Sequence, residues 1–394
     1  MRLMERYDAV VVGAGPAGST FAKIAAEGGM EVLLLDKKKE IGSPVRCGEG
    51  IGDAWVSRVW PQGIPSACIG ARISGAIVFA PNGKSLCIRA SHTTGFVLER
   101  KIFDKYLAVE AAKAGAHVLA RTMATSLIKE DGRFTGMRLK HMEEEFEVKT
   151  DLIVSAEGME ARIAREAGFQ SLATLYDVDT CVEYEMADLP CEDLIELYFG
   201  SIAPRGYAWV FPKGNQLANV GIGVGGLTGA NPKKLLDSFI EKNERFRKAE
   251  VIEVKGGVIS VGEPVKEKVK DNLMVIGTAA HLVDPTHGGG IGLAMESGII
   301  AGRVAVKAFQ KKDFSKKHLM HYEMAWDARE GNKLEKRLLL RKVLEKLNDD
   351  DYSNIIGEIS ADDLQKVLDG NYKSVVAKVL LKHPSLLKVL SALL

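Results

Sequence analysis

The string Gly13-Ala14-Gly15-Pro16-Ala17-Gly18 limits what this chain can fold into more than any other stretch. It follows the β-branched run Tyr7-Asp8-Ala9-Val10-Val11-Val12 and opens a stretch of helical composition from Pro16 to Glu27. Between a strand and a helix, the spacing G-x-G-x-x-G has a physical logic. Gly13 permits the tight turn, Gly15 lets the backbone approach a pyrophosphate, and Gly18 lets helix and strand pack closely. The first helical amides then face the phosphate charge. A second apolar run, Glu31-Val32-Leu33-Leu34-Leu35, ends at Asp36, whose carboxylate is placed to accept hydrogen bonds from a ribose. Two such strands around one helix predict a right-handed βαβ unit with parallel strands, the core of a Rossmann-type nucleotide domain.

The remaining chain divides by pattern. Lys101 to Gly115 carries Ile102, Tyr106, Val109 and Ala112 at helical spacing, and strand-like stretches follow near 117–128, 134–140 and 145–154. Between about 176 and 262 the text becomes Thr/Val/Tyr/Phe-rich alternation broken by Gly and Pro, with one helical interval at 232–245, which predicts an antiparallel sheet. Past about residue 331, Leu338-Leu339-Leu340, Val343, Val375-Val376, Val379-Leu380-Leu381 and the terminal string Leu386 to Leu394 lie among Lys and Arg. Such helices pack on the parent domain or lie on a membrane surface. The expected fold class is α/β, α+β overall. A discontinuous nucleotide domain (1–65, 95–167 and 270–330) carries an antiparallel-sheet substrate domain (66–94 and 168–269) and a helical C-terminal region (331–394).

Composition removes several alternatives. With 53 Lys+Arg against 52 Asp+Glu in 394 residues, the net charge is +1, so no global field draws the chain to nucleic acid. The five cysteines (Cys47, Cys68, Cys87, Cys181 and Cys191) form no C-x-x-C pair, against a disulfide framework, a zinc site or an iron-sulfur cluster. No metal is expected. The apolar run before Gly13 is too short for a signal-peptide core, and no window of 18 apolar residues exists to span a bilayer. The expected location is cytoplasmic, or peripheral on the inner face of the cell membrane.

The front fingerprint alone does not separate NAD from FAD. A second signal comes from the rear, where Leu273-Met274-Val275-Ile276 leads into Gly277-Thr278-Ala279-Ala280-His281, then Asp284-Pro285, then Gly288-Gly289-Gly290-Ile291-Gly292 opening a helix. A strand, a glycine turn and a helix N-terminus here can hold a second part of one elongated cofactor. That return is characteristic of flavoproteins, and FAD is the expected cofactor.

Gly13 to Gly18 with Asp36, Val97-Leu98-Glu99-Arg100-Lys101-Ile102-Phe103-Asp104, Ala156-Glu157-Gly158 with Arg162 and Arg165, and Gly277 to His281 together resemble the FAD monooxygenase-like flavoproteins. Arg46-Cys47-Gly48-Glu49-Gly50 and Pro204-Arg205-Gly206-Tyr207-Ala208-Trp209-Val210-Phe211-Pro212 are similar to motifs of the geranylgeranyl reductase family, and the resemblance covers essentially the whole chain. It implies FAD contacts from Gly13, Gly15, Ala17, Gly18, Asp36, Cys47, Gly48, Gly50, Arg100, Ala124, Gly290 and Ile291. Two departures matter. Glu157 stands where the family usually has Asp, and Thr278 stands where it has the acid near the ribityl chain, so the hydroxyl of Thr278, with Asp284, is left to make that contact.

The resemblance further implies saturation of isolated alkenes in the geranylgeranyl chains of an isoprenoid glycerophospholipid at a membrane surface. The electron donor stays open among NAD(P)H, ferredoxin and a quinol. A simple alkene is a poor hydride acceptor, so the expected mechanism couples protonation to hydride delivery in a dry, aromatic-lined channel. Tyr207 and Trp209 share one strand face and are candidates for that lining, while Cys47 is a candidate for positioning the flavin or moving a proton. For the proton donor, Glu49 and Tyr207 are the candidates. A flavin-dependent monooxygenase or halogenase is the catalytic alternative, and a non-catalytic prenyl-binding escort protein is the alternative of another class.

Overall fold

The computed structural model describes residues 4–368, 371–390 and 393; Ser391, Ala392 and Leu394 of the terminal string lie outside the described residues. The apolar runs assemble one sheet whose strands stand side by side in the order Val269–Lys270, Leu273–Val275, Glu144–Ser155, Arg6–Val12, Val32–Leu35 and His117–Leu119. Arg6–Val12 pairs in parallel with both Glu144–Ser155 and Val32–Leu35, as the βαβ reading requires. Val32 to Leu35 are all buried, the mark of a strand covered on both faces. The stretches near 117–154 become the short strand His117–Leu119 and an antiparallel meander, Thr122–Glu130, Arg133–His141 and Glu144–Ser155.

Small residues decide how the rear of the chain meets the front. Helix Ile291–Lys311 packs along helix Pro16–Glu27. A Cβ at Gly298 would stand 2.5 Å from the Ala17 carbonyl oxygen, and one at Gly302 would stand 3.0 Å from Ile24. Gly277, with φ +62°, comes so close that its Cβ would lie 2.7 Å from that of Ala17. The two glycine turns are therefore neighbours in space, and larger residues at these positions would push them apart.

A second sheet of seven strands runs in the order Glu250–Ser260, Val178–Ala187, Leu217–Gly225, Tyr207–Gly214, Leu194–Tyr198, Gly75–Phe79 and Ser85–Arg89. It is antiparallel except where Leu194–Tyr198 pairs in parallel with Gly75–Phe79. Period-two alternation splits its faces. Tyr184, Met186, Ala208, Val210, Val220 and Ile222 point to one side, where helix Pro232–Lys242 covers them with Leu236 and Phe239. Burial of each Val, Ile, Leu, Met or Phe among these stabilises by about 1.5–3 kcal/mol. The other face carries Glu183, Trp209, Phe211 and Lys213 toward the loop at Cys47–Gly50. A three-stranded sheet of Gly50–Gly52, Gly95–Leu98 and Ile69–Ile73 holds that loop.

The C-terminal helices have their own small core, in which Leu340 and Val343 meet Val376, Val379, Leu386 and Leu390. Much of their apolar surface is thus spent on packing. Leu381 and Leu387 are exposed, at 85% and 53%. Among the described residues, no helix is long and apolar enough to cross a membrane.

Candidate flavin and substrate site

The glycine turn fits a dinucleotide. A Cβ at Gly18 would fall 1.9 Å from the Gly13 carbonyl oxygen, so that residue must be glycine for the helix to start where it does. Gly13 itself sits at φ +108° against the Ala156 carbonyl. Gly15, by contrast, faces open space with nothing within 4 Å, which is where a pyrophosphate would lie. At its side, Asp36 accepts from the Ala14 amide at 3.1 Å and the Lys38 amide at 2.9 Å, one on each oxygen. Each carboxylate oxygen keeps lone-pair capacity for a ribose hydroxyl.

The rear turn packs beside the front one, with Gly277 against Ala17. Gly290 is the residue before the helix that opens at Ile291, and its missing side chain would face Val283 at 3.4 Å and the Thr278 hydroxyl at 3.9 Å. Thr278 is thus placed at the helix N-terminus, where an uncharged hydroxyl stands beside free amides. Asp284 is committed elsewhere. It is buried, forms ion pairs with Arg337 and with His287 (3.1 Å), and accepts from the Thr286 amide at 2.9 Å. Burial works to raise its carboxyl, but His287 and Arg337 outweigh that and hold it below the usual range. Its work in the structure is to pin the glycine loop. Ala124 is buried on its strand opposite Leu139, which leaves only its backbone to meet a ligand.

Between the rear turn and the second sheet lies the loop Cys47–Gly50, with Cys47 in one apolar cluster with Ile291. Gly48 and Gly50 admit the Phe211 ring, which would stand 3.2 Å from a Cβ at either position. Burial raises the Cys47 thiol above its ordinary value, so it keeps its proton, and its sulfur accepts from the Glu49 amide at 3.2 Å. Arg100 grips Asp104 through two 2.8 Å bonds, while its backbone amide donates to Glu49 at 2.9 Å. It acts on the loop through its backbone, with its guanidinium already paired.

Facing the loop, Tyr207, Trp209 and Phe211 line one strand face, with ring centroids 5.7 and 6.2 Å apart. The row continues outward through Phe199, 5.8 Å from Tyr207, to Tyr352 of the C-terminal helices at 5.6 Å. Room for Trp209 comes from Gly221, where a Cβ would stand 2.3 Å from the indole. Replacing Gly221 with valine is expected to displace the indole. Because Trp60 and Trp326 are also buried, loss of the Trp209 share of the buried-tryptophan emission, read as the difference from a Trp209→Phe protein and without loss of fold, is the outcome that measures it.

Behind the aromatic row lies a buried charge cluster of which motif reading singled out Glu49 alone. Glu49, at φ +71° and 1% exposed, accepts from Lys213 (2.9 Å), Asn219 (2.8 Å), Lys255 (3.2 Å) and the Arg100 amide. Burial works to raise its carboxyl, yet Lys213 and Lys255 prevail and hold it ionised. Glu183 accepts from the Trp209 indole N–H at 2.8 Å, and burial pushes its carboxyl up to about 8. The signal was present in the alternation: Cys181, Glu183 and Glu185 occupy every second position of a strand whose other face, Val182, Tyr184 and Met186, is apolar. Inward-facing carboxylates in a sheet require buried cations, and Lys213 and Lys255 are those cations.

The FAD binding domain family matches residues 6–215, and the geranylgeranyl reductase catalytic domain family matches residues 177–259. The digeranylgeranylglycerophospholipid reductase of Methanococcus vannielii is 40% identical over 400 residues, covering 100% of this chain and 99% of its own. The enzyme of the same name from Methanocaldococcus jannaschii is also 40% identical, with 100% and 99% coverage. The chain belongs to the digeranylgeranylglycerophospholipid reductase family. FAD is the cofactor of this reductase fold, and the chain is an FAD-dependent oxidoreductase. A solved geranylgeranyl bacteriochlorophyll reductase-like protein from Thermoplasma acidophilum superimposes at a TM-score of 0.91, with 34% identity over 100% of both chains. A flavin-dependent brominase shares the fold at a TM-score of 0.75 and 18% identity over 96% of this chain.

Proposed function

We propose that this protein saturates the carbon–carbon double bonds of geranylgeranyl chains carried on an archaeal-type glycerophospholipid. The observation that carries this reading is the aromatic row from Tyr352 to Phe211, which ends against the loop Gly48–Gly50 beside the rear turn. FAD, when bound and reduced, supplies hydride chemistry. Gly13, Gly15, Gly18 and Asp36 would hold its dinucleotide half, and Gly48, Gly50, Thr278, Gly290 and Ile291 would border its other half.

The chain's own residues supply the remainder. An isolated alkene takes up hydride only if positive charge on its more substituted carbon is tolerated. The faces of Tyr207 and Trp209 stabilise such charge and exclude water from it. Their hydrogen bonds fix the rings: the Tyr207 hydroxyl donates to the His287 carbonyl at 2.5 Å, and the Trp209 N–H donates to Glu183. Changing Trp209 to leucine removes a desolvated cation–π contact of about 2 kcal/mol, roughly a 30-fold drop in kcat. Phenylalanine at the same position is expected to recover part of that loss in the same turnover assay.

The test is mass spectrometry of a geranylgeranylated glycerophospholipid incubated without oxygen with dithionite-reduced protein. Products heavier by one hydrogen molecule per bond support the reading. Lipid left unchanged, or oxygenated or halogenated product once oxygen and halide are admitted, contradicts it. The electron donor belongs to the same proposal: NAD(P)H, ferredoxin or a quinol meets the flavin from outside the chain.

Substrate with lipid tails must be taken from a bilayer, and exposed Leu381 and Leu387 beside Lys382 and Lys388 suit a peripheral contact with its surface. Full-length protein carrying Leu381→Asp and Leu387→Asp is expected to sediment several-fold less with anionic vesicles. Equal sedimentation of the two proteins removes this part of the reading.

A further inference from the structure

The reaction needs a proton, and the cluster behind Trp209 contains one group built to give it. Glu183 is 4% exposed on strand Val178–Ala187. One of its oxygens, Oε2, is fixed by the Trp209 indole N–H, whereas Oε1 is buried with no hydrogen-bond partner among the described residues. The carboxyl also faces the cofactor loop, since a Cβ at Gly48 would stand 3.3 Å from Oε2. It therefore sits where the aromatic row meets the flavin loop, with one oxygen fixed by the indole and the other, buried, 3.5 Å from Lys255 Nζ.

The other candidates are less suited. Glu49 is held ionised by four donors and has no proton to give. The Tyr207 hydroxyl is committed to the His287 carbonyl, and burial makes it a weaker acid still. Burial also weakens the Cys47 thiol as an acid. A supply route through the buried lysines reaches Glu183 as well as Glu49. Lys255 Nζ lies 3.5 Å from Glu183 Oε1 and bonds Glu185 at 3.0 Å; Lys213 bonds Glu185 at 3.0 Å and Glu99 at 3.1 Å. The Glu99 side chain is 35% exposed, so this file of alternating ammonium and carboxylate groups reaches water.

We propose that Glu183 is the catalytic acid of alkene saturation and that the file Lys255, Glu185, Lys213 and Glu99 returns its proton from solvent. The inference rests on the reductase reading above. In the step, the alkene π pair forms a C–H bond with the Glu183 proton at the less substituted carbon, and the carboxyl O–H bond breaks to leave a carboxylate. The more substituted carbon takes the hydride that the reduced cofactor contributes, and a proton passed along the file from water reprotonates Glu183. Lys255 stabilises the carboxylate in the interval. The groups around Glu183 are Cys181 and Glu185 on its own strand, Lys255 on the neighbouring strand, Trp209 two strands away across Gly221, and Cys47 and Glu49 on the loop. Burial outweighs Lys255 and leaves the carboxyl protonated near neutral pH.

The FAD-loaded Glu183→Gln protein keeps an acceptor for the indole and is expected to hold FAD and bleach with dithionite as the unsubstituted protein does. Its alkene saturation is expected to fall about 100-fold or more, with Glu183→Asp recovering part of it. Activity of the unsubstituted protein is expected to decline as pH rises through about 8, because the acid must carry its proton to act. Infrared spectra supply a readout independent of turnover. A protonated-carboxyl band that shifts in D2O, fades above that pH and is missing in Glu183→Gln supports the proposal. Saturation by Glu183→Gln within threefold of the unsubstituted rate, or no such band, overturns it while leaving the reductase reading intact. Unsubstituted protein that fails to saturate the lipid overturns both.

Discussion

Alanine at Gly18 is expected to cost this protein both its FAD and a large part of its stability, whereas alanine at Gly15 is expected to cost the FAD alone. The two glycines are three residues apart in one turn, yet their surroundings are opposite. A methyl at Gly18 would meet a backbone carbonyl oxygen at 1.9 Å, and backbone cannot step aside without moving the strand or the helix. Such overpacking costs about 1–3 kcal/mol or more. Gly15 lies at φ −79° and ψ −173°, extended backbone that any residue adopts, and its missing Cβ points into open space. Thermal unfolding of the cofactor-free proteins, together with flavin absorbance per chain after loading, separates the cases. Gly15→Ala should unfold near the unsubstituted temperature with little bound flavin. If it retains flavin normally, the pyrophosphate does not lie over this turn.

The second large effect belongs to Glu49. Removing its carboxylate with Glu49→Ala leaves Lys213 and Lys255 in the interior with too little negative charge, and breaking a buried ion pair in this way costs about 3–5 kcal/mol. The loop Cys47–Gly50 would also lose its anchor to the Arg100 amide. Chemical denaturation is expected to show the midpoint falling by a corresponding amount, with Glu49→Gln less affected because it still accepts from Asn219. A midpoint unchanged within error would mean that the cluster is solvated and the interface open.

The turn geometry was legible in the sequence because glycine is the one residue whose absence of side chain is itself information. Gly13, Gly15 and Gly18 sit where strand, turn and helix meet, and the rear turn at Gly277 packs on Ala17, closing the front and rear stretches around one cradle. Alternation likewise placed Tyr207 and Trp209 on one face. Local pattern does not carry pairing between distant strands. The parallel contact that brings Gly75–Phe79 into the large sheet beside Leu194–Tyr198 leaves no mark on either segment. The charge cluster was hidden for a related reason. Glu49, Glu183, Lys213 and Lys255 are widely separated in the chain, and apart from Glu49 in its motif each by itself reads as a surface residue. Only the inward register of the strands turns them into buried partners. Asp284 shows the reverse case, where a residue near the right turn is drawn away by Arg337, a partner from a later helix.

If one cofactor cradle and one aromatic-lined path share a boundary, electrons pass directly from flavin to alkene. Anaerobic mixing of dithionite-reduced, desalted protein with the geranylgeranylated lipid tests it most directly, with the flavin spectrum and the lipid double bonds followed together. The oxidised flavin band is expected to return without oxygen, one flavin for each double bond lost. Flavin that stays reduced beside the lipid and recovers its colour only when air is admitted would contradict it.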